Sequence, residues 1–200
     1  MTCKKIILAS ASPRRKQLLK SLNIDFEVIP SQIEESIDKE NFSFELIEKL
    51  ALEKAQDVAD KTDSPALVIG ADTVVVIDEH ILGKPENKEE AFKMLRLLSG
   101  RTHKVISAIA IVDKSTNKVI TDHVISEVTF KNLTNSEIWS YIETGEPMDK
   151  AGAYAIQGLG NKFISSISGC YNNIVGISTG KLAEMLNQFG INVCLKQTDS

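Results

Sequence analysis

The run Leu67-Val68-Ile69-Gly70-Ala71-Asp72-Thr73-Val74-Val75-Val76-Ile77 sets a carboxylate in the middle of β-branched sequence. A stretch of this kind reads as a central strand, covered on both faces. The small and polar segment Gly70-Ala71-Asp72-Thr73 predicts an interruption in that strand. An acid flanked in this way is either buried with partners or held at a kink facing a cleft, because an unpaired buried charge is expensive. Lysine, arginine or metal partners are therefore expected around Asp72. One reading makes Asp72 a general base or metal ligand. The other has it capping a bend through its own backbone. The first is favoured, since a simpler turn would not break a long core strand.

The flanking sequence alternates helix and strand signals. Lys5 to Ala9 reads as a buried strand, with Ser12 as N-cap and Pro13 as first residue of a helix continuing from Arg14 to Leu22. Phe26 to Ile29 suggests a short strand, and residues 30 to 42 an exposed acidic loop. Ser43 opens a long helix to about Asp60. Leu82-Gly83-Lys84-Pro85 is a turn, and Asn87 caps a helix closed by Gly100. Lys104 to Val112 and Val119 to Phe130 are strands joined by a hairpin-like connection. Thr134-Asn135-Ser136-Glu137 is a capping box opening a helix to Gly145. Residues 146 to 178 read as glycine-rich and irregular, with short strand candidates. Thr179 to Phe189 reads as a last helix and Ile191 to Leu195 as a last strand. The expected fold is one α/β domain over residues 1–200, a mixed β-sheet flanked by helices.

Composition narrows the partners. Lys plus Arg number 23 and Asp plus Glu 27, for a net charge of −4, so no bulk charge drives the chain toward nucleic acid or an anionic membrane. No apolar run approaches the ~20 residues of a spanning helix. The apolar patch after Lys4-Lys5 is too short for a secretory leader and reads as the first strand. Cys3, Cys170 and Cys194 are widely spaced and follow no metal or disulfide pattern, which suits a reducing cytoplasm.

Four further groups can carry chemistry. Ser10-Ala11-Ser12-Pro13-Arg14-Arg15 sits at a strand–helix junction, where unpaired N–H groups, hydroxyls and guanidiniums can cradle phosphate. The same residues can equally be a cap and a solvated face. Lys54 lies near the apolar face of its helix, where a lysine is by default solvated. Lys84 is framed by Gly83 and Pro85, which fix its backbone. Glu34 or Glu35 can join Asp72 around a divalent cation, or belong to a solvated loop. The stretch from Thr144 to Gly160 is dense in glycine and contains Asp149, Lys150, Tyr154 and Gln157. Long ordered loops tend to be functional, and a glutamine amide suits a base edge. His80, His103 and His123 form no ligand motif, and Cys170 reads as packing.

Taken together, Leu8-Ala9-Ser10-Ala11-Ser12-Pro13-Arg14-Arg15, Gly70-Ala71-Asp72-Thr73, Gly83-Lys84-Pro85, Leu98-Ser99-Gly100-Arg101-Thr102-His103 and Asp149-Lys150-Ala151-Gly152-Ala153-Tyr154-Ala155-Ile156-Gln157-Gly158 resemble the Maf family of nucleoside triphosphate pyrophosphatases, also described as septum-formation inhibitors. The resemblance implies an inosine-triphosphatase-like fold with two lobes around a cleft, and a cytoplasmic homodimer. It implies cleavage between the α- and β-phosphates with a divalent metal, Mg²⁺ or Mn²⁺. Asp72 matches the proton acceptor. Ser10, Arg14 and Arg15 match the phosphate-binding segment, and Lys54 and Lys84 its lysines. Glu35, with Asp72, matches the metal side. Arg14, Thr73 and Gln157 match positions tied to base selectivity, and Ala151 to Gly158 resembles the dTTP/UTP-cleaving branch.

One departure stands out. Where the family often has Val-Gly-Leu-Pro, this chain has Val175-Gly176-Ile177-Ser178, which predicts a looser start to the last helix. The alternative to an enzyme is a nucleotide-binding regulator of cell division with little turnover; intact Asp72 favours the enzyme. A nucleic-acid binder is disfavoured by the charge and by the lack of interleaved aromatic and basic residues.

Overall fold

The structure, a computed structural model, describes residues 4–33 and 42–193. Its centre is a seven-stranded mixed sheet in the order β2-β1-β3-β5-β6-β7, with β4 also paired to β3. Strand β1 (Lys5–Leu8) runs parallel to β2 (Glu27–Val28) and to β3 (Ala66–Ile77). All other pairs are antiparallel: β4 (His80–Leu82), β5 (Thr102–Asp113), β6 (Lys118–Phe130) and β7 (Ile164–Ser168). The helices are α1 (Pro13–Lys20), α2 (Phe44–Asp60), α3 (Lys88–Leu98), α4 (Asn135–Ile142), α5 (Tyr171–Val175) and α6 (Thr179–Asn187).

The helix starts follow their caps. The side chains of Ser12, Ser43, Asn87 and Thr134 each accept an N–H of the first turn, and Glu137 completes the capping box. The core has two faces. Ile47, Ala51, Ala55 and Val58 of α2 share one with Ile7, Val68, Val74 and Ile106 of the sheet. Leu95, Ile138 and Leu182 of α3, α4 and α6 share the other with Leu8, Ile69, Val75 and Ile109.

Several expectations need correction. Strand β3 is not interrupted: Gly70 to Thr73 stay in register with Ala110 to Ser107 of β5. Gly70 marks a close helix contact instead, since a Cβ there would fall on the Ala51 carbonyl and within 2.7 Å of the Ala55 nitrogen. Asp72 therefore caps no bend. Residues 191–193 form no strand; the remainder of the expected one, and Glu34 and Glu35, lie outside the described residues. The irregular stretch contains β7 and α5. At the start of α6, where the family often has proline, Ser178 is the N-cap and accepts the Lys181 N–H at 3.3 Å.

The pairing leaves a notch. Strand β1 accompanies β3 only to Ile69, whose carbonyl accepts the Ala9 N–H at 2.8 Å. Strand β4 takes up the same edge at Val75. Between them Gly70 to Val74 have a neighbouring strand, β5, on one edge only. Side chains of both sheet faces can reach a ligand in that gap.

Candidate active site

A cavity of about 680 Å³ fills the notch, within the range of small-molecule sites. It is lined by the chain from Ala9 to Arg15, by Lys54 of α2, by Lys84 and by residues of the loop from Asp149 to Gln157. Val75, Val105, Tyr154, Ile156, Ile174 and Val175 give it apolar wall.

Asp72 is 3% exposed and lies on the α2 face of β3. Because α2 sits tight on Gly70, Lys54 reaches Asp72, and its ammonium donates to Oδ1. The default of a solvated helical lysine does not hold for Lys54, which is buried and is a lysine partner of the kind expected around Asp72. The other carboxylate oxygen, Oδ2, is buried without a hydrogen-bond partner among the described residues. Asp72 lines the cavity together with Arg14 and Arg15. One oxygen held by an ammonium and the other uncommitted suits a group that takes a proton from water, or gives an oxygen to a hard cation.

The paired arginines divide their work. Arg15 Nε donates to the Gly176 carbonyl at 3.0 Å, and its terminal nitrogens donate to Thr73 Oγ1 at 2.9 Å and Ser10 Oγ at 3.4 Å. Ser10 Oγ also accepts the Ser12 N–H. Arg15 so locks the cradle to β3 and to the turn after α5. Arg14 lines the cavity, and its charge is felt by Asp149. Thr73 Oγ1, besides accepting from Arg15, lies 2.8 Å from Ser107 Oγ and 3.1 Å from the Gly176 carbonyl. Its hydroxyl is engaged in holding the wall. Lys84 and Gln157 are exposed and line the cavity.

Two supports had no clear sequence signal. His103 is buried against Phe130 and Tyr154, and its Nε2 lies 2.8 Å from the Tyr154 hydroxyl. Nδ1 has no partner among the described residues; a buried orphan N–H is the less tolerable state, so the proton is assigned to Nε2, which donates to Tyr154. Burial lowers the His103 pKa to about 4 and pushes the Tyr154 phenol up, so both stay neutral at pH 7. Glu146 accepts the N–H groups of Leu159 and Gly160 at 3.0 and 3.1 Å and the Tyr141 hydroxyl at 2.8 Å. Burial would raise its carboxyl, but these donors outweigh burial and hold it below its ordinary value. The carboxylate thereby fixes the chain just after Gln157.

A second polar cluster lies elsewhere. Ligand atoms of Glu48, Asp122 and His123 fall within 4.8 Å of one another, and none of the three lines the cavity. Lys181 pairs with Asp122 at 2.9 Å, and Thr121 and His123 bond Glu48, so the cluster ties α2 and α6 to β6.

Residues 5–189 match the profile of the Maf-like protein family. A dTTP/UTP pyrophosphatase of Desulforamulus reducens is 50% identical over 188 residues, covering 94% of this chain and 98% of that protein. One of Alkaliphilus oremlandii is 50% identical over 191 residues, covering 95% and 99%. Among solved structures, a HAM1 protein from Coxiella burnetii superposes with a TM-score of 0.50 at 17% identity, covering 93% of this chain and all of that one. That likeness concerns the fold alone.

Proposed function

The chain belongs to the Maf-like family, and from that premise we propose that it hydrolyses dTTP and UTP to the monophosphate and pyrophosphate. The observation that carries the reading is Asp72: Oδ1 held by Lys54, Oδ2 uncommitted, inside a cation-lined cavity. Half-identity over nearly the whole chain to proteins named dTTP/UTP pyrophosphatase supports the same reading.

In this reading Asp72 Oδ2 takes a proton from water as its oxygen bonds the α-phosphorus. The bridging bond to the β-phosphate breaks, and the electron pair leaves with pyrophosphate. Lys54, donating to Oδ1, keeps the Asp72 carboxyl aimed. Arg14 and Lys84 counter the charge of the phosphate chain, while Arg15 and Ser10 fix the cradle. Gln157, with its amide donor and acceptor, meets the base edge beside Thr73 and Arg14, and a base that leaves the amide unpaired is rejected.

A divalent cation, Mg²⁺ or Mn²⁺, is part of the proposal. The Asp72 carboxylate is a hard oxygen donor of the right kind, with Glu35, outside the described residues, as its expected companion; an Asp72 oxygen that held the cation would serve as ligand in place of base. Bound there, the cation would neutralise phosphate charge. We further propose a cytoplasmic homodimer acting on a small-molecule nucleotide. No helix among the described residues is long and apolar enough to cross a membrane.

The test is pyrophosphate release from dTTP, UTP and GTP with each metal and with none. Release from dTTP and UTP above an Asp72→Asn control supports the enzyme. Tight nucleotide binding with no release supports the regulator.

A further inference from the structure

The geometry points to Lys150 as a further phosphate-binding cation, parked on Asp149 until the substrate's phosphate chain replaces that carboxylate. The inference rests on the nucleotide reading above and adds a residue to it. The Lys150 ammonium donates to Asp149 Oδ1, its own chain neighbour. The two side chains sit very differently. That of Lys150 is only 13% exposed, whereas that of Asp149 is 73% exposed. Both line the cavity. The Lys150 side chain is thus largely covered while that of its partner is largely exposed. An ion pair with so exposed a member is weak and readily exchanged.

The Gly152 N–H donates to the Gly83 carbonyl at 3.0 Å, joining the loop that carries Lys150 to the turn that carries Lys84. Gly152 also lies against Val75, where a Cβ would come within 2.9 Å of a valine methyl, so this loop is pressed onto β3. Two ammoniums on joined loops, with Arg14 also lining the cavity, repel one another unless an anion lies among them. Asp149 is the resident anion: the Lys150 ammonium holds its carboxyl below the ordinary value, and Arg14 adds to the effect. A triphosphate brings several oxygens of the same charge and forms stronger charge-assisted bonds. Substrate binding then swaps one carboxylate for the phosphate chain and lets Asp149 turn to solvent.

Calorimetric binding of pyrophosphate and of dTMP to the full chain separates this from a merely structural role. Lys150→Ala is expected to weaken pyrophosphate binding about tenfold, the scale of one charge-assisted bond, and to leave dTMP binding as it is. Lys150→Arg restores it. Asp149→Asn, which removes the competing anion, tightens pyrophosphate binding. Unchanged pyrophosphate binding in Lys150→Ala overturns the inference. So does equal weakening of both ligands, which signals loop collapse, or weaker pyrophosphate binding in Asp149→Asn. Absence of pyrophosphate binding in the unaltered protein overturns it as well. Because this readout needs no turnover, failure of the pyrophosphatase reading appears separately, as absence of product from dTTP.

Discussion

Burial keeps His103 neutral, and that leaves a signature in the pH dependence of stability. Its pKa falls from 6.5 to about 4 on folding, so the folded chain binds fewer protons than the unfolded chain between those values. The contribution is full above pH 6.5 and is lost as pH falls toward 4, amounting to about 3 kcal/mol. Urea unfolding at pH 7 and pH 4.5 should therefore show a smaller acid loss in His103→Gln than in the unaltered protein; equal losses would contradict the assignment. Individual residues were unevenly legible. Asp72 announced itself because a carboxylate inside β-branched sequence has few inexpensive explanations. Lys54 did not, because helical spacing cannot tell how closely a strand approaches. His103 closes one of the motifs that carry the family resemblance, yet nothing local showed its task, since its partner Tyr154 is remote in sequence.

Elements position these side chains, and α2 against β3 matters most. Gly70 lets the helix close on the strand, which brings Lys54 to Asp72. Gly70→Ala should destabilise the chain by about 2 kcal/mol, as overpacking does, and also depress turnover in the folded fraction. Wild-type denaturant midpoints for that variant would refute the close contact. The loop after α4 depends on Glu146. Replacing it with Gln removes the charge that holds the Leu159 and Gly160 N–H groups. We expect a melting temperature lower by about 3 °C and a flatter preference for dTTP over GTP, as Gln157→Ala would give, with the best rate little changed. An unchanged preference would detach Glu146 from base selection. At this scale the caps at Ser12, Ser43, Asn87 and Thr134 and the long β5–β6 hairpin were readable because their signals are local. The continuity of β3 was not. Glycine in a strand signals equally a break or a close neighbour, and only tertiary packing decides.

Across the whole molecule, the sheet order creates the site. The ends of β1 at Leu8 and of β4 at Leu82 leave one edge of β3 open beside Asp72. No short motif encodes that gap; it follows from the pairing of segments far apart in the chain. The resemblance carried by the ordered motifs gave the fold, while their three-dimensional meaning divided the cations by task, Arg15 to the scaffold and Lys54 to the acid. A chain of net charge −4 can attract a polyanion here because cations converge at one opening. In the proposed reaction Asp72 removes the proton from water while the cations hold the nucleotide. The measurement closest to it is single-turnover hydrolysis of dTTP by Asp72→Asn alongside dTTP binding to the same variant, with folding verified by circular dichroism. The rate should fall about a thousandfold with binding retained. Hydrolysis by the folded variant at the unaltered protein's rate would contradict the account.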